Sequence, residues 1–90
     1  MINPKTLISL AKMYRLQWEE AQQCHVLLFP EGMVQLNGPA AAILNRCQEP
    51  LTAADLIDDL HQEFPEASGL DSDVDEFLVI AQQKGWINLE

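Results

Sequence analysis

The sequence predicts an α+β fold in which a three-stranded antiparallel sheet comes first and three helices follow. Three observations predict it. Residues 15–38 carry strand-like patterning on both sides of the turn signal Pro30-Glu31-Gly32. Beyond Pro39 the apolar residues recur at helical spacing instead. Prolines at 39, 50 and 65 then punctuate that second part into three pieces.

The first strand is read from Tyr14, Leu16 and Trp18, which alternate with Arg15, Gln17 and Glu19, the period-2 signature of a half-buried strand. Cys24 to Phe29 is a continuous apolar run, too short for an ordinary helix and closed by Pro30. It reads as the central strand, covered on both faces. Pro30-Glu31-Gly32 makes the turn, since proline presets φ and glycine tolerates a positive one. Met33-Val34-Gln35-Leu36 is the third strand, ended by Asn37-Gly38-Pro39.

Pro39 suits the first turn of a helix whose body is Ala40 to Cys47, with Ile43, Leu44 and Cys47 as its buried stripe. The second helix opens at Thr52, with Asp55 three residues on as a capping-box variant. Leu56, Ile57, Leu60 and Phe64 form its apolar face, and Pro65 stops it. A linker containing Gly69 leads to the third helix, with Asp71 or Ser72 as its cap and Val74, Phe77, Leu78 and Ala81 buried. Gly85 suits the C-terminal cap, after which Trp86 to Leu89 runs extended. The order resembles a winged helix-turn-helix with the sheet placed first. In such a meander the outer strands each keep a free edge of N–H and C=O groups.

Ninety residues make one domain, read as residues 13–90, with residues 1–12 as an N-terminal extension. Two cysteines, Cys24 and Cys47, are too few for a disulfide framework. They read as small buried hydrophobes or as a redox or ligand pair, and a reducing cytoplasm fits them. The N-terminal apolar patch is cut by Lys12 and lacks a cleavage pattern, so it is not read as a signal peptide. Nothing approaches the roughly 20 apolar residues of a membrane span.

The net charge of −9 is unevenly spread. Residues 1–48 carry four basic and three acidic side chains, whereas residues 49–90 carry eleven acidic ones and only Lys84. Such a surface repels phosphate backbones, so nucleic-acid binding is disfavoured. The acidic half is either a set of solvated helix faces or a surface for a basic partner.

The search for catalysis finds little. His25 and His61 sit where the pattern already places a strand and a helix. Cys24, His25, Cys47 and His61 have zinc-ligand chemistry but no ligand spacing joins them, and adjacent strand residues point to opposite faces. No nucleophile elbow or Gly-rich phosphate loop is present. The expectation is therefore no catalytic residue and no metal. Trp18 and Trp86 read as core or core-edge residues in preference to ligand contacts. Arg15 and Glu19 share a strand face opposite Trp18, as an exposed pair of little energetic value or as a partner-docking surface.

Arg15-Leu16-Gln17-Trp18-Glu19, Gln22 and Val26-Leu27-Leu28-Phe29-Pro30-Glu31-Gly32 together make a specific string. Asn37, Ala41, Ile43, Leu44, Phe64-Pro65, Phe77-Leu78 and Gly85-Trp86 extend it. From residue 14 to about 89 the chain resembles the PqqD family, peptide chaperones of pyrroloquinoline-quinone biosynthesis. The resemblance implies a non-catalytic protein, with no cofactor of its own, that binds the ribosomally made precursor PqqA and presents it to the radical S-adenosylmethionine enzyme PqqE. It also implies the strand-first winged-helix fold and a peptide groove between the third strand and the third helix.

That groove maps here to Gly32, Met33, Val34, Gln35 and Leu36 on one side and to Asp75, Leu78, Val79 and Gln82 on the other. A disordered peptide adding to the strand edge would gain main-chain hydrogen bonds, and Met33 would adapt to its side chains. Val34→Pro is the substitution expected to disturb that edge. A monomer or weak homodimer is expected, with no membrane. Two other readings stay open, a winged-helix DNA-binding regulator and a self-associating structural module.

Overall fold

The computed structural model describes residues 2–90. Nine elements follow one another: β1 (Leu7–Leu10), β2 (Arg15–Glu19), β3 (Cys24–Phe29), β4 (Gly32–Gln35), α1 (Gly38–Arg46), β5 (Leu51–Thr52), α2 (Ala53–Glu63), α3 (Leu70–Gln83) and β6 (Ile87–Leu89). The α+β class, the three-stranded meander and the three helices are all found. Beside the meander stands a second antiparallel sheet, in the order β5-β1-β6. It ties residues close to one end of the chain to residues close to the other, with Ile8 opposite Leu89 and Leu10 opposite Ile87. Leu7–Leu10, within the stretch 1–12 that the sequence reads as an extension, is thus the middle strand of a sheet.

The meander has the order β2-β3-β4, and its register sorts side chains onto two faces. Leu16, Leu27 and Val34 lie in one row across the strands, and Gln17, Val26 and Gln35 in the next. Leu27 belongs to the main core, against which Leu16, Val34 and Tyr14 pack, so this is the inner face. Val26 points the other way and is still fully buried, flanked in register by the long side chains of Gln17 and Gln35. The central strand is therefore covered on both sides, as its unbroken apolar run suggested.

The helices start for local reasons. The Asn37 side chain accepts the Ala40 N–H at 2.8 Å, with Pro39 in the first turn of α1. Thr52 does the same for the Asp55 N–H at 3.1 Å, so the cap read from the sequence of α2 is present. The cap of α3 differs. The helix begins at Leu70, ahead of both expected caps, and Gly69 precedes it with φ of 70° and no side-chain cap. Starting early lets Leu70 pack against the core and leaves Asp71 and Asp73 in the first turn, where a carboxylate suits the helix dipole. Gly85 has a φ of 80°, which reverses the chain behind α3 and delivers Trp86 and β6 to the second sheet.

Ile8, Leu27, Leu44, Leu56, Leu60, Val74 and Leu78 form one continuous core between both sheets and all three helices. Polar contacts brace its rim: Arg46 of α1 forms ion pairs with Glu63 and Asp59 of α2, and the His61 ring is hydrogen-bonded to Asp71 at 2.7 Å across α2 and α3. Trp18 is the chief departure from the expected core. It is 47% exposed on an edge strand, and its indole donates to Glu20 at 2.7 Å.

Candidate functional site

A strand edge can act only through main-chain groups that its own sheet does not use. The N–H of Leu36 donates to the carbonyl of His25 at 3.0 Å, which fixes the bonding phase of the β3–β4 ladder. In an antiparallel ladder bonded and non-bonded pairs alternate. Val34 therefore turns its N–H and C=O inward to Leu27, and Gly32 turns its own to Phe29. Met33 and Gln35 turn theirs outward, and no strand lies beyond them among the described residues. Their side chains project from the outer face, where Met33 is 47% exposed and Gln35 is exposed and bonded to Gln22.

Residues of α3 and of the turn behind it lie near the two ends of this strand. At one end Asn37 and Pro39, just past β4, share a crevice of about 340 Å³ with Asp73 and Phe77. At the other end Gly85 lies beside the Tyr14 hydroxyl, and Tyr14 stacks on Phe29 with ring centroids 5.3 Å apart. The crevice is apolar at its base, with Ile43, Leu60, Leu70 and Val74 forming the floor. Phe64 and Ala67 close it from the α2–α3 linker, and Asp73 and Asn37 supply polar atoms at the rim. Ile80, one helical step beyond Phe77, extends the apolar flank and is exposed. Such a site can hold an extended backbone and one bulky apolar side chain.

The residues expected from the sequence are divided by the structure. Gly32, Met33, Val34 and Gln35 lie together on β4, with Val34 half-buried on the inner face. Leu36 and Leu78 are core residues, 6% and 1% exposed, and their side chains are closed to a ligand. Asp75 opens onto a different depression on the far side of α3, beside Ile2, Pro4 and Ile57. Val79 and Gln82 share that side by helical spacing. Arg15 and Glu19 are partnered by Leu28 and Cys24 across the opposite edge of the sheet.

Phe77 and Phe64 were legible only as core-facing helix residues, and Leu70 and Asn37 only as parts of a linker and a strand end. A signal did exist. Leu70, Val74, Phe77, Leu78, Ile80 and Ala81 cover an arc of α3 wider than a single buried stripe needs. The cysteine and histidine side chains are scattered, with Cys47 buried, Cys24 on the outer sheet face and His25 against α1. Burial raises the Cys47 thiol to a pKa of about 12, which removes its nucleophilic form at ordinary pH.

A family model described as "Coenzyme PQQ synthesis protein D (PqqD)" matches residues 24–87, from the start of β3 into β6. The chain belongs to this family. It is 49% identical over 80 residues to the "PqqA binding protein" of Azotobacter vinelandii, covering 89% of this chain and 87% of that one. The protein of the same name from Klebsiella pneumoniae (strain 342) is 50% identical over 82 residues, covering 91% and 89%. Among solved structures, the chain is similar to the solution NMR structure of the PqqD truncation of Methylobacterium extorquens PqqCD, with a TM-score of 0.75 and 25% identity. That match covers 91% of this chain and 88% of the other, which is described as a stand-alone recognition element for ribosomally synthesized, modified peptides.

Proposed function

We propose that this protein binds the precursor peptide PqqA by strand addition along the outer edge of β4 and presents it to the radical S-adenosylmethionine enzyme PqqE. The protein supplies no reacting group and acts as a holder of substrate in the cytoplasm. The observation that carries this reading is the pair of outward main-chain groups at Met33 and Gln35, set beside an apolar crevice and unused by the fold. The names of the relatives support PqqA as the ligand. An extended peptide paired there would take its affinity from backbone bonds and its selectivity from alternate side chains, one of them entering the crevice over Val74 and Phe77.

The sharp test is Gln35→Pro, which removes an outward N–H and leaves the β3–β4 bonds in place. Proline is tolerated at such edge positions. Calorimetric titration with PqqA should show affinity weakened at least about tenfold, with Gln35→Ala as the control for the side chain. Unchanged affinity in a folded Gln35→Pro protein would sink strand addition at β4. Val34→Pro, the substitution suggested by the sequence, strikes an N–H that serves Leu27 and so tests the sheet. The DNA-binding alternative gains no support from α3, which carries Asp71, Asp73, Asp75 and Glu76 and no basic residue before its cap at Lys84.

A further inference from the structure

We propose that the crevice under the α2–α3 linker is a tyrosine site: it takes one phenol side chain of a bound peptide, and Asp73 and Asn37 select the hydroxyl. The inference rests on the peptide-binding reading above and names the side chain that enters.

The walls decide the class of side chain. Only Asn37 and Asp73 among the lining residues are polar, and the others are aliphatic or aromatic. A strongly hydrated side chain would give up its water against such a floor without compensation. Two phenyl rings line the space, Phe64 from the linker and Phe77 from α3. Phe64 remains exposed although it closes the apolar face of α2, and Phe77 packs against Trp86 with ring centroids 6.5 Å apart. Rings placed so gain from a further aromatic partner in a tilted or offset arrangement.

The rim decides which aromatic residue. The Oδ1 of Asn37 is committed to the cap of α1, where it accepts the Ala40 N–H at 2.8 Å. That leaves the Nδ2 hydrogens of Asn37 as donors, with no partner among the described residues. Asp73, exposed in the first turn of α3, also has no side-chain partner among the described residues, whereas its neighbour Asp71 holds His61. Its carboxylate accepts hydrogen bonds and donates none. The rim thus offers one donor and one acceptor above an apolar floor. A phenol hydroxyl is both donor and acceptor and stands at the far end of its ring. Phenylalanine offers neither group, and the tryptophan N–H and the arginine guanidinium only donate. Tyrosine is the large aromatic residue that buries its ring and satisfies both rim groups.

The place of the crevice suits a peptide on β4. Asn37 lies two residues beyond Gln35, the last outward main-chain position of that strand. A peptide paired along the edge therefore reaches the crevice within a residue or two of its last backbone bond.

The test uses small amides that cannot pair as a strand. N-acetyl-tyrosinamide and the matching phenylalanine, tryptophan and arginine amides are titrated into isotope-labelled protein, following the amide signals of Ala67, Val74 and Phe77. The tyrosine amide should move these signals and bind at least about fivefold tighter than the phenylalanine amide. Asp73→Ala should abolish that preference by weakening the tyrosine amide alone. Asn37→Asp keeps a capping oxygen, removes the Nδ2 hydrogens, and should reduce the preference severalfold. Saturating PqqA should displace the tyrosine amide. Equal binding of the tyrosine and phenylalanine amides, tighter binding of the tryptophan or arginine amide, a preference unchanged by either substitution, or no displacement by PqqA would each overturn the proposal. Gln35→Pro acts on pairing at β4 and leaves the amide preference in place, so strand addition and the tyrosine site fail separately.

Discussion

The two sheets of this molecule stand in opposite relation to the chain that makes them. The β2-β3-β4 meander is local, built from one unbroken stretch between Arg15 and Gln35. The β5-β1-β6 sheet gathers strands of two, four and three residues from the middle and the two ends. The edges differ accordingly. Those of the second sheet are short, which limits pairing with anything else. Those of the meander are longer, and each leaves alternate main-chain groups unused. The two sheets divide the work: the distant pairing closes the fold, and the local sheet is left free to be touched.

The greatest loss is expected where the closing sheet enters the core. Ile8 is fully buried at its centre, as Leu27 is in the meander. Ile8→Ala and Leu27→Ala should each cost about 2–5 kcal/mol in urea unfolding followed by tryptophan fluorescence. A loss below about 0.5 kcal/mol for Ile8→Ala would show that β1 is decoration, since buried truncations rarely cost so little.

Next in size is the contrast within β4. Val34→Pro removes an N–H that bonds to β3 and should destabilise the fold by about 1–3 kcal/mol, while Gln35→Pro should stay within about 1 kcal/mol. Equal losses would mean that the outward and inward groups are wrongly assigned.

The third contrast is between the cysteines. Burial holds the Cys47 thiol neutral, with its pKa raised from 9.0 to about 12. The unfolded thiol ionises first, so this contribution to stability is complete below pH 9 and declines as pH rises from 9 toward 12. The slope should approach about 1.4 kcal/mol per pH unit in that window and vanish in Cys47→Ala. At pH 8 a thiol reagent should label the half-buried Cys24 well before Cys47. Equal labelling rates would contradict the closed core around Leu44 and Cys47.

A more modest effect concerns the joint between β5 and α2. Thr52 ends one and caps the other, and Thr52→Ala should cost about 1 kcal/mol by thermal unfolding. No change would leave the cap without energetic weight.

Much of the meander was legible because its signals are short-range. Alternation in Arg15–Glu19, the apolar run to Phe29 and the turn at Pro30-Glu31 each act within a few residues. The cap at Thr52 and the proline start of α1 were legible for the same reason. Leu7-Ile8-Ser9-Leu10 was not, since its partners lie at Leu51–Thr52 and Ile87–Leu89 and no local pattern names them. Half of the candidate site was readable as an edge strand. On the helix, Asp75, Val79 and Gln82 share one flank, while Phe77, which looked like core, lines the crevice. Trp18 was read as core or core-edge, and a place on the outermost strand leaves it half in solvent.

Local sequence was enough for the order of the three meander strands and the three helices, the covered centre of β3, the absence of any recognisable catalytic pattern and membership of the PqqD family. These depend on periodicity, turn chemistry and residue identity, which are properties of neighbours along the chain. The second sheet, the direction of the free main-chain groups and the flank of α3 that lines the crevice came instead from the packed molecule. Those depend on register and on helix rotation, and both are set by which distant side chains pack together.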